Sequence, residues 1–161
     1  AEPFTGPEAS TYLQGITWGG HPVACAVALA NLDVFERDQI NQHVLEHEDD
    51  FRTMLHGLTD IPIVGEVRGT GYFHAIELVK DRDTRALFSD AEADALLRGF
   101  LSNRLFELGL ICRADDRGEP VIQLSPPLIA GPAEFDFIGD ALRQALTEAT
   151  DLLPTLTGAG T

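Results

Sequence analysis

The stretch Gly15-Ile16-Thr17-Trp18-Gly19-Gly20-His21-Pro22 constrains this chain more than any other. Gly15, Gly19 and Gly20 permit positive φ and let another group approach the backbone closely. Pro22 stands where a first-turn proline is tolerated, so a helix is expected to open there. Its unpaired N–H groups would face the glycine-rich turn, and Thr17 adds a hydroxyl to the same concavity. Such a pocket suits an anion, above all a phosphate. A loop that only turns the chain has the same local spacing, and both readings stay open on these residues alone.

Residues 1–14 read as an irregular lead-in. From Pro22 the run VACAVALANLDVFE is apolar on nearly every side, which describes a helix buried all round rather than an amphipathic surface helix. A chain of 161 residues has little material to surround it, so part of its cover is expected from a partner chain or a further domain. Asp38 is expected to cap a second helix with Ile40, Val44, Phe51, Leu55 and Leu58 on one face and Glu46, Glu48, Asp49 and Asp50 mostly solvated. His43 and His47 are four residues apart on that helix, with His56 further on. No third ligand is indicated, so no metal site is expected.

After Ile61-Pro62, the run IVGEVRGTGYFHAIELV has the β-branched content of a bent strand pair, with bends at Gly65, Gly69 and Gly71. Arg68 there suits either an anion or a local carbonyl or carboxylate. Ser89-Asp90-Ala91-Glu92 fits a capping box, followed by a helix with Leu97, Leu101, Leu105 and Leu108 on one face and Gly109 at its end. Leu110–Ala114 and Val121–Leu124 read as a hairpin around Asp115-Asp116-Arg117-Gly118. A last helix is expected from Pro132, burying Phe135, Ile138, Leu142, Leu146 and Ala149, with a frayed tail from Pro154.

A formal net charge of −15 opposes binding to nucleic acid and to anionic membrane surfaces. No apolar run approaches the roughly 18 residues of a membrane span. Cys25 and Cys112 lack ligand spacing and read as buried free thiols, which fits a reducing cytoplasm. No nucleophile–base pair or complete phosphate loop is present. Lys80 is the only lysine, and it follows a strand and precedes Asp81-Arg82-Asp83, a surface setting rather than the desolvated one that activates an amine.

GITWGGHPVACAVALANLDVFE resembles the class III aminotransferase segment G-[FIY]-T-[YF]-[SG]-G-H-P with its Ala-rich helix. VRGTGYFHAIELVKD is similar to that family's VRG-x-G-x-x-x-[AG]-IELV strand, and LICRADDRGEPVIQLSPPLI to its arginine-turn-S-PPL stretch. The three matches fall in order over about residues 11 to 150. The resemblance implies an α+β fold: the end of the large domain of a fold type I pyridoxal-phosphate enzyme (1–37), then a connecting helix and small C-terminal α/β domain (38–153), then a flexible tail (154–161). It implies that Thr17, with the backbone at Trp18, reaches across a homodimer to the phosphate of pyridoxal 5'-phosphate, and that Arg113 binds a substrate carboxylate. Arg113 could instead pair with Asp115 or Asp116 across its hairpin.

Where many members have His before the first glycine, this chain has Gln14. The family's cofactor lysine and its pyridine-pairing aspartate precede the matched region, so no catalytic residue is expected in this chain. The resemblance thus implies the C-terminal portion of an enzyme acting on an amine and a keto acid or aldehyde, and inactive by itself. A noncatalytic dimerisation or interaction module of the same descent would carry the same residues.

Overall fold

A computed structural model describes residues 15–115 and 120–158. The chain divides into two compact units, one ending at Gln39 and one running from Ile40.

In the first unit, two successive turns lead into α1 (Pro22–Arg37). Gly19 N–H donates to the Ile16 carbonyl at 2.9 Å and His21 N–H to the Trp18 carbonyl at 3.0 Å. The third positions of both turns, Trp18 and Gly20, have φ of +66° and +74°. Glycine accepts that conformation freely and tryptophan does not, so Trp18 is held in a sparsely populated region. Helix α1 follows with Pro22 in its first turn, as the sequence implies, and none of its side chains is buried. Asp38 ends α1 instead of capping the next helix: its backbone N–H bonds Val34 and Glu36, and Arg37 binds its carboxylate through Nε (2.7 Å) and Nη2 (2.9 Å). Gln39, at φ +52°, then breaks the helical path.

The second unit begins with α2 (Ile40–His56), which runs into a 3₁₀ turn at Gly57–Asp60. Strands β1 (Val64–Thr70) and β2 (Phe73–Leu78) form an antiparallel hairpin, with a register shift at Gly65 and a two-residue turn at Gly71-Tyr72. Gly71 has φ +55°, the positive first position that a hairpin turn matched to strand twist requires. The capping box at Ser89 and Glu92 is formed and opens α3 (Asp90–Asp94). A π-helical segment, Ala95–Leu101, connects α3 to α4 (Ser102–Glu107). Leu96, Leu97 and Leu101 of this segment all stand at zero exposure. Gly109, at φ +85°, ends the helix, with Leu110 N–H on the Leu105 carbonyl and Gly109 N–H on that of Phe106. That pair of bonds is the Schellman arrangement.

Strands β3 (Arg113–Asp115) and β4 (Val121–Leu124) complete a sheet of order β1-β2-β4-β3, every pair antiparallel. The turn expected between them at residues 116–118 lies outside the described residues. Helix α5 spans Pro132–Gly158. Phe135, Ile138, Leu142, Leu146 and Ala149 are all buried, as their spacing implies. Within the tail expected from Pro154, the helix continues through that proline as far as Gly158, and residues 159–161 lie outside the described residues. A proline removes one backbone bond, and here Thr155 Oγ1 bonds the Leu152 carbonyl at 2.6 Å beside the gap.

One face of the sheet, carrying Val67, Ile76, Ile122 and Ala114 in a cross-strand row, closes on a core with Phe51, Leu55, Leu96, Leu142 and Leu146. The opposite face is open. Strand alternation therefore decides which side chains of this unit are available for chemistry.

Candidate functional site

The turn before α1 presents Thr17 and Trp18 together at its exposed crest, Trp18 at 69% exposure with its ring edge-on to His21 at 5.0 Å. His21 enters α1 with extended backbone, φ −66° and ψ 125°, and its carbonyl accepts from Cys25 N–H at 2.9 Å. The N–H groups of Val23 and Ala24 precede that first bond, and the first turn holds no acidic residue. A helix of 16 residues with an open, uncharged N-terminus concentrates partial positive charge there. The arrangement is chemically suited to an anion.

Arg113 lies in the second unit, on the edge strand β3. Its register partner is Gln123, which pairs with Ala75, which pairs with Arg68. These four form one row across the open sheet face, because the next row, Ala114 to Val67, faces the core. Arg113 and Gln123 line a cleft of about 320 Å³ whose other walls are Phe73, Leu110, Ile111 and the Ser125-Pro126-Pro127 segment. An arginine at the edge of a mostly apolar cleft can hold a carboxylate through two parallel hydrogen bonds while an apolar body lies against the walls.

The family model for class III aminotransferases matches residues 3–146. The chain belongs to the class III aminotransferase family. Its relatives include a protein named as a probable aminotransferase of Mycobacterium tuberculosis, 52% identical over 91% of this chain and 31% of that protein. A putrescine–pyruvate aminotransferase of Pseudomonas aeruginosa is 36% identical over 88% of this chain and 30% of its own length. The structure is similar to the omega transaminase of Pseudomonas jessenii in complex with PMP, with a TM-score of 0.74 and 34% identity, over 92% of this chain and 30% of that one. This class III chain thus has a mixed helix-and-sheet fold similar to part of that structure, and it spans about 30% of the length of the relatives it matches.

The remaining charged candidates of the class III chain are engaged in structural bonds. Arg68 binds Glu77 of β2 and lies 3.4 Å from Glu66, so the carboxylate alternative describes it. Lys80 Nζ lies 2.7 Å from Glu92 Oε1. His43 Nε2 lies 2.7 Å from the Ala130 carbonyl and His47 Nδ1 2.9 Å from the His43 carbonyl. Among the described residues, no group of three His, Cys, Asp or Glu side chains is placed to hold a metal. Cys25 is exposed, contrary to the burial expected for it, as are most side chains of α1 among the described residues. Cys112 is half-buried beside the cleft, and burial pushes its thiol up to about 11.

Two side chains that brace the hairpin turn and the segment after the cleft's prolines carry no local sequence signal. Tyr72, in the hairpin turn, donates its hydroxyl to the Ala130 carbonyl at 2.9 Å, the same oxygen that His43 reaches. Glu48, read as part of a solvated acidic face, accepts the Gly71 N–H at 3.1 Å and fixes that turn to α2.

Proposed function

We propose that this chain forms the C-terminal portion of a pyridoxal-phosphate-dependent aminotransferase, which transfers an amino group from an amine or amino acid to a keto acid or aldehyde. In this reading residues 1–37 end the cofactor domain, and the chain from 38 onward supplies the connecting helix and small domain. The observation that carries it is the turn at Thr17 and Trp18, opening onto the N-terminus of α1 within a chain matched to the family over residues 3–146.

The residues fit the phosphate of the cofactor: an exposed threonine hydroxyl, helix-terminal N–H groups and no carboxylate in the first turn of α1. Thr17 and the backbone at Trp18 would hold that phosphate across the interface of a homodimer. When bound, pyridoxal phosphate supplies the electron sink for the chemistry. Arg113 would bind the acceptor carboxylate and orient the substrate along the cleft. The apolar groups of α1, among them Val23, Val27, Leu29 and Leu32 at 57–65% exposure, would be covered by the second subunit or by the cofactor domain. Among the described residues no helix is long and apolar enough to cross a membrane, and the free cysteines are in keeping with a cytoplasmic enzyme.

The test is to purify the longest natural polypeptide that carries these residues with pyridoxal phosphate and assay amine transfer. The putrescine–pyruvate relative makes a diamine and pyruvate the first pair to try. Cofactor absorbance with turnover is expected. A protein that dimerises without binding the cofactor would instead be the noncatalytic module.

A further inference from the structure

The segment that walls the Arg113 cleft is short of backbone hydrogen bonds of its own. Pro126 and Pro127 have no N–H to donate, and both line the cleft. The segment ends at Ala130, which is 4% exposed and whose N–H closes a turn on the Pro127 carbonyl at 2.9 Å. The Ala130 carbonyl receives two side-chain donors, from 58 and 87 residues away in sequence: Tyr72 Oη at 2.9 Å and His43 Nε2 at 2.7 Å. Since a carbonyl only accepts, His43 carries its proton on Nε2 in this bond.

Both donors are held rigidly. Tyr72 is 3% exposed, its ring edge-on to Phe135 at 5.3 Å and tilted against Phe51 at 5.6 Å. Its backbone turn is tied to α2 through Gly71 and Glu48. His43 stacks on His47, ring centroids 4.3 Å apart, one turn along α2. We propose that Tyr72 and His43 are positioning residues: together they clamp the Ala130 carbonyl and, through the Pro127–Ala130 turn, set the Pro126-Pro127 wall of the cleft in which Arg113 orients an acceptor carboxylate. The role in acceptor choice rests on the aminotransferase reading above.

The clamp has a signature that simple packing does not share. A carbonyl oxygen with two donors keeps one when either is removed, whereas losing both strands a buried acceptor. Tyr72→Phe removes only the hydroxyl, and His43→Ala removes the other donor. The two changes should therefore be far from additive, and His43→Gln, whose amide can donate to the same oxygen, should restore much of the loss.

The experiment is hydrogen exchange by mass spectrometry on the longest natural polypeptide with pyridoxal phosphate, together with KM for pyruvate and for butanal. In Tyr72→Phe/His43→Ala, exchange in peptides spanning Leu128–Ala130 should accelerate while strand β1 stays protected. KM for pyruvate should rise about tenfold, against less than about threefold in either single variant and little change for butanal. His43→Gln in the Tyr72→Phe background should return both readouts most of the way. Unchanged exchange at Leu128–Ala130 in the double variant overturns the clamp, and so does loss of protection throughout β1 at the same time. Equal KM effects on both acceptors overturn the positioning role. If the parent protein transfers no amino group, the aminotransferase reading fails, while the exchange measurement still decides the clamp by itself.

Discussion

Lys80 Nζ lies 2.7 Å from Glu92 Oε1, so the one lysine of this chain joins the end of the β1–β2 hairpin to the N-terminus of α3. Glu92 meanwhile accepts from the backbone N–H and hydroxyl of Ser89, both at 2.9 Å. The Lys80 ammonium first, then these Ser89 bonds, hold the Glu92 carboxyl down at about 2. An amine held against a carboxylate in this way lacks the desolvated or cation-flanked setting that activates a nucleophile. Borohydride treatment of this chain with pyridoxal phosphate should therefore leave Lys80 without stoichiometric label, and the chain should show no transaminase turnover. Peptide mapping that finds Lys80 fully labelled, with turnover, would show the opposite.

Acid sensitivity should centre on His74. It is 3% exposed in β2, with Nε2 3.1 Å from the Gly71 carbonyl and Nδ1 buried without a partner. Burial pulls its pKa below 6.5; the Gly71 bond and Glu48 oppose that shift, while His56 and Arg52 on α2 add to it. Below pH 6.5 the unfolded chain takes a proton that the folded one resists, so stability is full above that pH and declines as pH falls towards the folded pKa. His74→Gln keeps a donor for Gly71 and removes the titration. The urea midpoint of the parent should fall between pH 7.5 and 5.5, and that of the variant should fall less.

Gly69 and Gly99 should respond oppositely to alanine. A Cβ at Gly69 would overlap the Phe73 carbonyl and approach within 2.6 Å of Cα of His74, its register partner on β2. Both contacts are rigid backbone, so Gly69→Ala should cost at least about 1–3 kcal/mol. At Gly99, in the π segment, the nearest atom to a Cβ is the Asp94 carbonyl oxygen at 3.9 Å. Gly99→Ala should gain about 0.5–1 kcal/mol by reducing the entropy of the unfolded chain. Chemical denaturation of the two variants compares them directly.

These contrasts show what was legible from the sequence. The Ser89 capping box, the Gly109 terminator and the buried face of α5 depend on residues within one or two turns of each other, and a short window contains everything that decides them. Asp38 ends α1 rather than capping α2 because two helices compete for one residue, and its neighbour Arg37 takes the carboxylate. The π segment was hidden because Leu96, Leu97 and Leu101 satisfy a regular helical stripe almost as well as a widened one. Tyr72 and His43 meet at Ala130 only through the fold, so no local pattern marks either as a partner of that carbonyl.

Thr17 and Arg113 should act on opposite ends of the substrate–cofactor complex in the longest natural polypeptide. Thr17 offers one hydroxyl beside the N–H groups that open α1, and in the role proposed for it removing that hydroxyl would take away a hydrogen bond to a doubly charged phosphate. Thr17→Ala should weaken cofactor retention by about 1.5–3 kcal/mol, the usual worth of a bond to a charged group. Arg113 stands on a different unit, in a row of side chains on the open sheet face, and lines the cleft with Gln123 and Phe73. Its loss should raise KM for a keto acid while sparing a neutral aldehyde, because only the keto acid brings a carboxylate that needs a cation. The measurements are cofactor dissociation after gel filtration and KM for pyruvate and butanal in each single variant. Equal impairment of both acceptors by Arg113→Ala would reduce that arginine to a structural contact of its own hairpin. Unchanged cofactor affinity in Thr17→Ala would leave the glycine-rich stretch as a turn that does no more than redirect the chain into α1.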